Sequence, residues 1–380
     1  MNNKMLSSIL FVLTLSNCAK AEVVWNGFSS IVAGTTGASD TKKEGFENEV
    51  NFEQDSLFAM QASSDLGNGL SVTAQVMARG ENSWDPKFEW AYVAYDLNDD
   101  IRILAGRQRI PFFMYSDYLD VSYAYDWITP PDNVYGIPFS SFNGLGAIYN
   151  HSFSGIDGTL HLIYGSTPDD INVGGGSVKS NLENMVGGAY TLTRDWLTLR
   201  AAYIQLESTI ELNAYEPLIT AWKQTPYSYV SDNLTIDSDL TRFYELGIQA
   251  TYEDYSLIAE YTQSKNEGAP TPNEENYYVM ASKRFNQFSA HITYGKTKRT
   301  QDSLTDGVPN GISPQLDNLI QFTGLATEFG IGEKSYMTYG LRWDIHDSAA
   351  LKFEYTDQTS NLALDGGDAT LFRTALVTVF

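Results

Sequence analysis

The chain has 380 residues, with 47 acidic against 24 basic side chains and a formal charge of −23 at neutral pH. This acidic balance argues against nucleic-acid binding through a basic surface, and a single cysteine excludes an intrachain disulfide. No Pro- or Ser-rich linker and no shift in composition divides the sequence, so we expect one continuous domain.

The first 21 residues have the pattern of a secretory signal peptide. Lys4 supplies a positive charge, residues 5–15 are mostly apolar, and residues 19–21 form a small-x-small cleavage site. The apolar run is too short to span a bilayer. In a second interpretation Cys18 is lipidated and anchors the chain. We predict cleavage of residues 1–21 and a mature domain over residues 22–380.

After the signal peptide, about sixteen strand-like segments are separated alternately by tight turns and long loops. The tight turns are rich in Gly, Asn, Asp and Ser, which short hairpins favour; they lie at residues 66–69, 98–100, 154–157, 194–195, 253–254, 286–287 and 346–348. The long loops lie near residues 35–46, 81–86, 111–142, 167–181, 208–239, 266–274, 300–334 and 360–367. This alternation predicts an all-β, antiparallel up-and-down transmembrane barrel with periplasmic turns and extracellular loops.

Most of the segments alternate apolar and polar residues with a period of two. In the segment 70–79, Leu70, Val72 and Val76 lie on one face, and Ser71 and Thr73 lie on the other. Sixteen strands enclose an interior too wide for side chains to fill, so the polar face is predicted to line water and the apolar face to contact lipid. The segments 87–97 and 101–110 have no clean face, and their register stays open.

Aromatic residues are abundant and cluster beside the tight turns and the chain ends. The sequence contains 24 Tyr, 19 Phe and 7 Trp. We predict that some of them form a girdle at the periplasmic interface, where amphipathic rings are favoured. Ordinary strand propensity is the alternative explanation. The candidates are Trp25, Trp196, Tyr252, Tyr255, Phe285, Phe288 and Phe380.

The segment 370–380 keeps strand propensity up to the aromatic residue Phe380. Phe372, Leu376 and Phe380 share one face, and Arg373 lies on the other. This segment resembles the C-terminal strand of outer-membrane β-barrel proteins, in which the terminal Phe is part of the assembly signal. The resemblance implies that role for Phe380. To close the barrel, the segment is expected to pair with the first strand near residues 23–33.

The mature chain as a whole resembles the general porin family in its strand number and loop order. That family has sixteen antiparallel strands, a periplasmic N-terminus and a third loop folded into the lumen to narrow the channel. The resemblance implies an outer-membrane homotrimer in contact with lipid and lipopolysaccharide. It also implies passive diffusion of small hydrophilic solutes and ions without a cofactor, a metal or enzymatic chemistry.

The third long loop, residues 111–142, carries the carboxylates that the resemblance assigns to the constriction: Asp117, Asp120, Asp126 and Asp132. In such porins they face a basic cluster on the opposite wall. The candidates for that cluster are Arg79, Arg107, Arg109, Arg200, Arg342 and Arg373. Alternatively, the arginines only neutralise the inward Glu245, Glu260 and Glu354. The excess of carboxylates favours cations, and salt should weaken that preference.

Aromatic residues of the same loop allow two interpretations. They either anchor the loop against the barrel wall or offer their faces as a stacking track for sugar rings. The second interpretation corresponds to a substrate-selective channel rather than a general one. The residues concerned are Tyr115, Tyr118, Tyr123, Tyr125, Tyr135 and Trp127.

Two further hypotheses have weaker support in the sequence. A serine hydrolase needs a nucleophile near a histidine and an orienting acid, but neither inward histidine, His161 or His291, lies in a recognisable motif. Carboxylates in and beside the fifth long loop either are solvated or hold divalent cations that bridge to lipopolysaccharide. These are Glu207, Glu211, Glu216, Asp232, Asp237 and Asp239.

Overall fold

A computed structural model describes residues 21–37, 42–167, 171–173, 176–267, 270–328, 330–362 and 367–380. Residues 1–20 of the predicted signal peptide, including Cys18, lie outside the described residues.

Sixteen antiparallel strands form a closed barrel in which sequence neighbours pair and the last strand returns to the first. These strands are β1 (Val23–Thr36), β2 (Leu57–Gly67), β3 (Leu70–Arg79), β4 (Lys87–Asp96), β5 (Ile101–Arg109), β6 (Ser141–Phe153), β7 (Ile156–Thr167), β10 (Ser180–Arg194), β11 (Leu197–Ile210), β12 (Ile236–Tyr252), β13 (Tyr255–Asn266), β14 (Asn273–Phe285), β15 (Phe288–Thr300), β16 (Gly332–His346), β17 (Ala349–Ser360) and β18 (Ala369–Val379). A separate two-stranded sheet pairs β8 (Ile171–Val173) with β9 (Gly176–Val178). The predicted fold class is confirmed.

The connections on one side of the barrel are short and those on the other side are long. All seven predicted tight turns join consecutive barrel strands. Among their described residues, the long connections also contain four α-helices, which the sequence did not predict: α1 (Asp132–Tyr135), α2 (Glu216–Lys223), α3 (Tyr229–Asp232) and α4 (Pro314–Glu328). In the described part of the chain, no helix is long and apolar enough to cross a membrane.

Alternate residues of each strand face outward and inward. On β17, Phe353 is exposed, whereas Lys352, Glu354 and Thr356 on the alternate positions are buried. The outward face is therefore apolar and the inward face carries the polar groups, as a wide membrane barrel requires. Of the predicted girdle, at least half of the side-chain surface is exposed in Trp25, Trp196, Tyr252, Tyr255, Phe285 and Phe380.

The two strands without a clean face contain local irregularities. The register of β3 against β4 shifts between Gln75 and Val76. In β5, Gly106 has φ +130, and a Cβ atom there would lie 2.4 Å from the carbonyl oxygen of Ala91. A bulge and a glycine kink each break the period of two, which explains why the sequence left these registers open.

The barrel closes where β18 pairs with β1, from Phe28 opposite Val379 to Thr36 opposite Leu371. Beyond this ladder, the backbone amides of Gly27 and Phe380 donate to each other's carbonyl oxygens at 2.7 and 2.9 Å. The ring of Phe380 occupies the space that a side chain at Gly27 would need. The predicted pairing of the first and last strands is confirmed.

Candidate functional site

The connection between β5 and β6, residues 110–140, is hereafter called loop 3, and it lies against the polar face of the barrel strands. Two arginines of that face donate to its backbone. Arg200 Nη2 donates to the carbonyl of Pro111 at 2.6 Å. Arg342 Nη1 donates to the carbonyls of Tyr123 and Tyr125 at 2.7 and 2.9 Å. These cations therefore bind loop 3 itself instead of facing it across open water.

Lys352 makes the densest of these contacts. Its Nζ donates to the carbonyls of Ser122 and Tyr125 at 2.5 and 2.7 Å, and also to that of Trp127. The side chain is fully buried. An ammonium group has three donors and no acceptor, so three converging carbonyls match its hydrogen-bonding capacity. Sequence reasoning placed Lys352 on the inward face but gave it no role.

Acidic residues of the strands accept hydrogen bonds from donor groups of loop 3. Glu260 accepts hydrogen bonds from the backbone amide of Met114 at 3.2 Å and from the hydroxyl of Tyr135 at 2.6 Å. Glu354 accepts one from the amide of Ile128 at 2.8 Å. Loop 3 lacks regular pairing over most of its length, and the wall's charged groups supply partners that its buried backbone requires.

Asp120 is bound directly by two of the predicted basic residues. Arg79 Nη2 lies 2.7 Å from one carboxylate oxygen, and Arg109 Nη2 lies 2.5 Å from the other. Burial opposes ionisation, but the two guanidinium groups outweigh it and hold the pKa of Asp120 well below its usual range. The resemblance implied charges on opposite walls, whereas here acid and base are in contact.

The other predicted acids of loop 3 do not join Asp120. Asp117 and Asp132 are exposed, and Asp126 is half-buried. Asp132 lies 3.5 Å from Lys334 on β16. Arg107 makes a contact with the neighbouring strand, since its Nε donates to the carbonyl of Phe88 at 2.9 Å.

Arg373 connects loop 3 with the first long loop. The described residues 42–56 between β1 and β2 are hereafter called loop 1. Arg373 lies 3.0 Å from Glu44 and 2.8 Å from Asp55 of loop 1, 2.9 Å from Thr129 of loop 3, and 2.7 Å from Glu354 of β17. Both loops are therefore attached at one point of the wall, a contact that sequence reasoning missed.

Two of the arginines also pair with inward carboxylates of the strands. Arg373 pairs with Glu354 as described, and Arg200 Nε lies 3.4 Å from Glu245. The simpler interpretation, in which arginines offset inward carboxylates, thus describes two of the pairs. The same arginines also bind loop 3, so the two interpretations do not exclude each other.

The pKa values of Glu44 and Asp55, the two loop 1 carboxylates bound to Arg373, are shifted in opposite directions. For Glu44, burial is the largest influence, but Lys43 and Arg373 outweigh it and lower the pKa to about 2. For Asp55, burial raises the pKa to about 6; Arg373 opposes that rise, and the neighbouring Glu44 and Glu81 add to it. Asp55 is therefore the carboxylate that changes charge in the mildly acidic range.

The aromatic residues of loop 3 form an apolar core with the wall. Tyr115, Tyr125 and Trp127 are less than a tenth exposed, and they pack with Phe243 and Tyr278 of the strands. Trp127 Nε1 donates to Thr293 Oγ1 at 2.8 Å. Such burial leaves little of these three rings for a sugar to stack on. They anchor the loop, as the first of the two interpretations proposed.

Two of the predicted aromatic residues are less buried than the others. Tyr118 is exposed over about a third of its surface, at 37%. Tyr123 is half-buried, lies with its ring 4.8 Å from the Arg342 guanidinium carbon, and donates its hydroxyl to the Asp347 carbonyl at 2.7 Å. A stacking track would therefore have to depend on Tyr118 and Tyr123.

Two cavities lie beside loop 3, each of about 290 Å³. The one here called the outer cavity lies toward the long loops, where Glu44, Asp55, Glu81, Asp120 and Asp132 are among its lining residues. The inner cavity lies toward the tight turns and is lined by Asp126, Glu253, Asp254, Arg284 and Arg342, among others. Acidic residues thus predominate in the outer cavity.

Metal coordination and histidine chemistry have little basis in the described parts of the chain. There, no group of three or more His, Cys, Asp or Glu side chains is arranged to hold a metal ion. His291 is inward and buried, with Nε2 3.6 Å from a carboxylate oxygen of Glu354.

The chain is similar to known channel proteins. A family model described as Gram-negative porin matches residues 7–370. Among solved structures, OmpF of Salmonella typhi in complex with daunomycin has 13% identity and a TM-score of 0.58, over 95% of this chain and 98% of that one. An anion-selective porin from Comamonas acidovorans has 12% identity and a TM-score of 0.57, over 95% and 100% of the two chains.

A third similar structure is the in-vitro folded OmpT of Vibrio cholerae in a trimer form, with 10% identity and a TM-score of 0.56, over 95% of this chain and 99% of that one. No curated protein sequence matches significantly. Identities this low establish a shared fold alone. Because one similar structure is an anion-selective porin, charge preference has to be argued from side chains.

Proposed function

The chain belongs to the Gram-negative porin family and forms an outer-membrane channel, and from that premise we propose passive diffusion of small hydrophilic solutes and ions with a weak preference for cations. The observation that carries the proposal is the set of carboxylates around the outer cavity. Its lining includes the five acidic residues named above and a single basic one, Arg79. Charged side chains along a pore set its ion preference.

The attachment of loop 3 supports a pore of fixed width. Buried ammonium and guanidinium groups bind its backbone, and an apolar core holds its aromatic side chains. A loop fixed in this way narrows the lumen by its own bulk, so we propose that solutes are filtered by size there. The carboxylates Asp117, Asp126 and Asp132 then act on ions that pass its surface.

The preference for cations should be modest. Arg79, Arg109 and Arg373 offset part of the acidic charge, and mobile ions screen the remainder. The screening length falls from about 10 Å at 0.1 M salt to about 3 Å at 1 M. We therefore expect a clear preference in dilute KCl and a weaker one in concentrated KCl.

Planar-bilayer recording of the purified protein tests this function. Stepwise conductance is expected, and in a KCl gradient the reversal potential should have the sign of a cation-preferring pore. Absence of conductance steps would rule out the channel, while an anion-type reversal potential would rule out the charge argument alone. A concentration-dependent block by one sugar would favour the substrate-selective alternative.

We further propose that residues 1–21 are removed on export, that the mature domain over residues 22–380 assembles as a homotrimer, and that Phe380 acts as an assembly signal. The trimer form of OmpT supports the trimer only by analogy of fold. N-terminal sequencing of the membrane protein should begin at Glu22. Chemical cross-linking in the membrane should give a band of three subunits, and a ladder ending at two would contradict the trimer.

The mature barrel should contact lipid through its outward face and lipopolysaccharide through its long loops. Extraction in mild detergent followed by lipid analysis checks this proposal. Co-purification of lipopolysaccharide that survives chelation by EDTA would argue against bridging by divalent cations.

A further inference from the structure

The outer cavity combines excess negative charge with room for a small organic molecule. Its volume of about 290 Å³ is roughly ten times the volume of about 30 Å³ that one water molecule occupies in the liquid. It is enclosed between loop 1 and loop 3, which are held together at Arg373. Solutes on the long-loop side meet this cavity beside loop 3.

One polar atom in the cavity wall has no partner in the described structure. Ser30 on β1 lines the outer cavity and is 2% exposed, and its Oγ makes no hydrogen bond with any described residue. Buried hydroxyls are normally hydrogen-bonded, and an unpaired one calls for an explanation. A donor bound in the cavity would satisfy this oxygen.

The charges that line and surround the cavity leave a surplus of carboxylates. Arg373 and Lys43 pair with loop 1 acids, Arg79 and Arg109 pair with Asp120, and Lys334 lies near Asp132. Glu81 is hydrogen-bonded by the neutral amide of Gln54 at 3.2 Å. The acidic groups on and around the cavity are Glu44, Asp55, Glu81, Glu89, Asp120, Asp132 and Glu354. Five of these acids line the cavity itself, against a single lining base, Arg79.

We propose that the outer cavity is a binding site for small organic cations that carry primary ammonium groups, and that it takes them up ahead of loop 3. This inference rests on the proposed function, since it names a class of solute for the same pore. An ammonium group offers three donors and a positive charge, which suit carboxylates and the Ser30 hydroxyl. The volume favours a molecule of several heavy atoms over a bare ion.

The site should weaken in mild acid because Asp55 gains a proton there. The charged groups around Asp55 are Arg373 on β18, Glu44 in loop 1 and Glu81 after β3. A bound cation favours the ionised carboxylate, so binding is strongest above the pKa of about 6 and declines as the pH falls through it. At pH 5 only about a tenth of Asp55 is ionised, so an up to roughly tenfold weaker affinity is expected.

The probe for the test is 1,4-diaminobutane, with 1,4-butanediol as an uncharged molecule of the same length. Both amines stay protonated from pH 5 to pH 7.5, because unperturbed alkylamines titrate near pH 10. Added to the long-loop side of single channels at pH 7.5 in 0.1 M KCl, the diamine should interrupt the current in a concentration-dependent way. The diol should not. Equal effects of the two molecules would overturn the inference.

Three variants test whether the diamine that blocks the current binds in the outer cavity. Asp55→Asn and Ser30→Ala should each weaken the block by the diamine, about tenfold for the first and less for the second, and Asp55→Asn should abolish its pH dependence. Glu49→Gln removes an exposed carboxylate of loop 1 outside the cavity lining and should leave the block unchanged. A block that is the same in all three variants would place binding elsewhere and contradict the proposal.

Two measurements distinguish failure of this inference from misfolding of a variant and from failure of the proposed function. If a variant does not fold, the pH titration of the unmodified channel still decides, because a block that is equally strong at pH 5 and pH 7.5 contradicts the site at Asp55. If cation-preferring conductance steps appear without any block, this inference fails and the proposed function stands. If no steps appear, the proposed function fails.

Discussion

Loop 3 and a helical cap formed by two of the long connections both contain a buried tryptophan, but they are held by different kinds of contact. We call the described residues 211–235 and 301–328, which include α2, α3 and α4, the cap. In loop 3, Trp127 donates to Thr293 of the barrel at 2.8 Å. In the cap, Trp222 donates to Thr323 of the same cap, also at 2.8 Å. The same bond thus attaches one loop to the wall and the other to itself.

The surroundings of the two tryptophans differ accordingly. The cap core consists of apolar residues from both of its segments, among them Ile219, Val230 and Leu316, and Tyr229 and Asn233 donate to backbone carbonyls across it. Loop 3 adds buried charges of the strands to its apolar core. The cap is held by apolar contacts and neutral hydrogen bonds, whereas loop 3 is also bound by charged side chains of the strands.

The largest expected effect comes from Lys352→Met. The substitution removes a hydrogen-bond donor from three buried carbonyls of loop 3. The carbonyl of Tyr125 keeps Arg342 as a donor, whereas those of Ser122 and Trp127 lose the donor described above, and each unsatisfied group costs about 1–3 kcal/mol. We expect loop 3 to detach around residues 122–127, with higher and noisier single-channel conductance. Lys223→Met on α2 of the cap, where the lysine is exposed, is the matched control and should conduct like the unmodified protein. Unaltered conductance of Lys352→Met would refute the anchoring role.

The next largest effect is expected from replacing the two tryptophans one at a time, which compares their contributions to conductance. Trp127→Ala and Trp222→Ala each remove one ring and one hydrogen bond, at a local cost of about 3–5 kcal/mol. Trp127→Ala should change conductance, because loop 3 loses packing against the wall. Trp222→Ala should leave conductance nearly unchanged and make the cap sensitive to a protease added outside. If both variants change conductance equally, the cap and loop 3 are not independent.

A smaller effect is expected from Asp120→Asn. Removing one partner of a buried ion pair costs about 3–5 kcal/mol, and the lower part of that range applies, since Arg79 and Arg109 both keep Glu89 within 4.0 Å. The variant loses one negative charge beside the outer cavity. The reversal potential should therefore move in the direction that indicates a weaker preference for cations. Asp302→Asn, an exposed position of the cap, is the control. An equal shift of the reversal potential in Asp302→Asn would show that the position of the carboxylate, in the cap or beside the outer cavity, makes no difference.

The smallest effect is expected from pH. The lowered pKa of Asp120 means that its ion pair is fully formed above the unfolded value near 3.9 and is lost only as the pH falls through the lower folded value. Conductance recorded in 1 M KCl, where surface charge is screened, should therefore stay constant from pH 7 to pH 5. A rise in conductance over this interval would indicate that loop 3 is released by another titrating group.

The barrel itself could be predicted from the sequence because its signals are local. Turns such as Tyr252-Glu253-Asp254-Tyr255 carry polar residues, and Glu253 and Asn286 adopt positive φ at the tight connections. Apolar and polar residues alternate wherever the ladder is regular. The two segments that stayed ambiguous are β4, which pairs with β3 through a register shift opposite Gln75 and Val76, and β5, which contains Gly106 at φ +130.

The interior could be predicted only in part because its contacts join distant parts of the chain. The inward direction of Arg200, Arg342 and Arg373 follows from strand alternation. That they bind loop 3 does not, and neither does the meeting of Glu44 and Asp55 at Arg373. The cap helices were also missed, because short helices depend on tertiary packing more than on their own propensity.

Loop 3 is made long before several of the groups that hold it. Its contacts with Lys352, Glu354 and Arg373 join residues 230, 226 and 244 positions apart in the chain. Contacts of such sequence separation are slow to form, since a long loop must close first. We therefore expect an assembling barrel to stay wide until its last strands have joined, so that the channel acquires its size limit as the final event of its maturation.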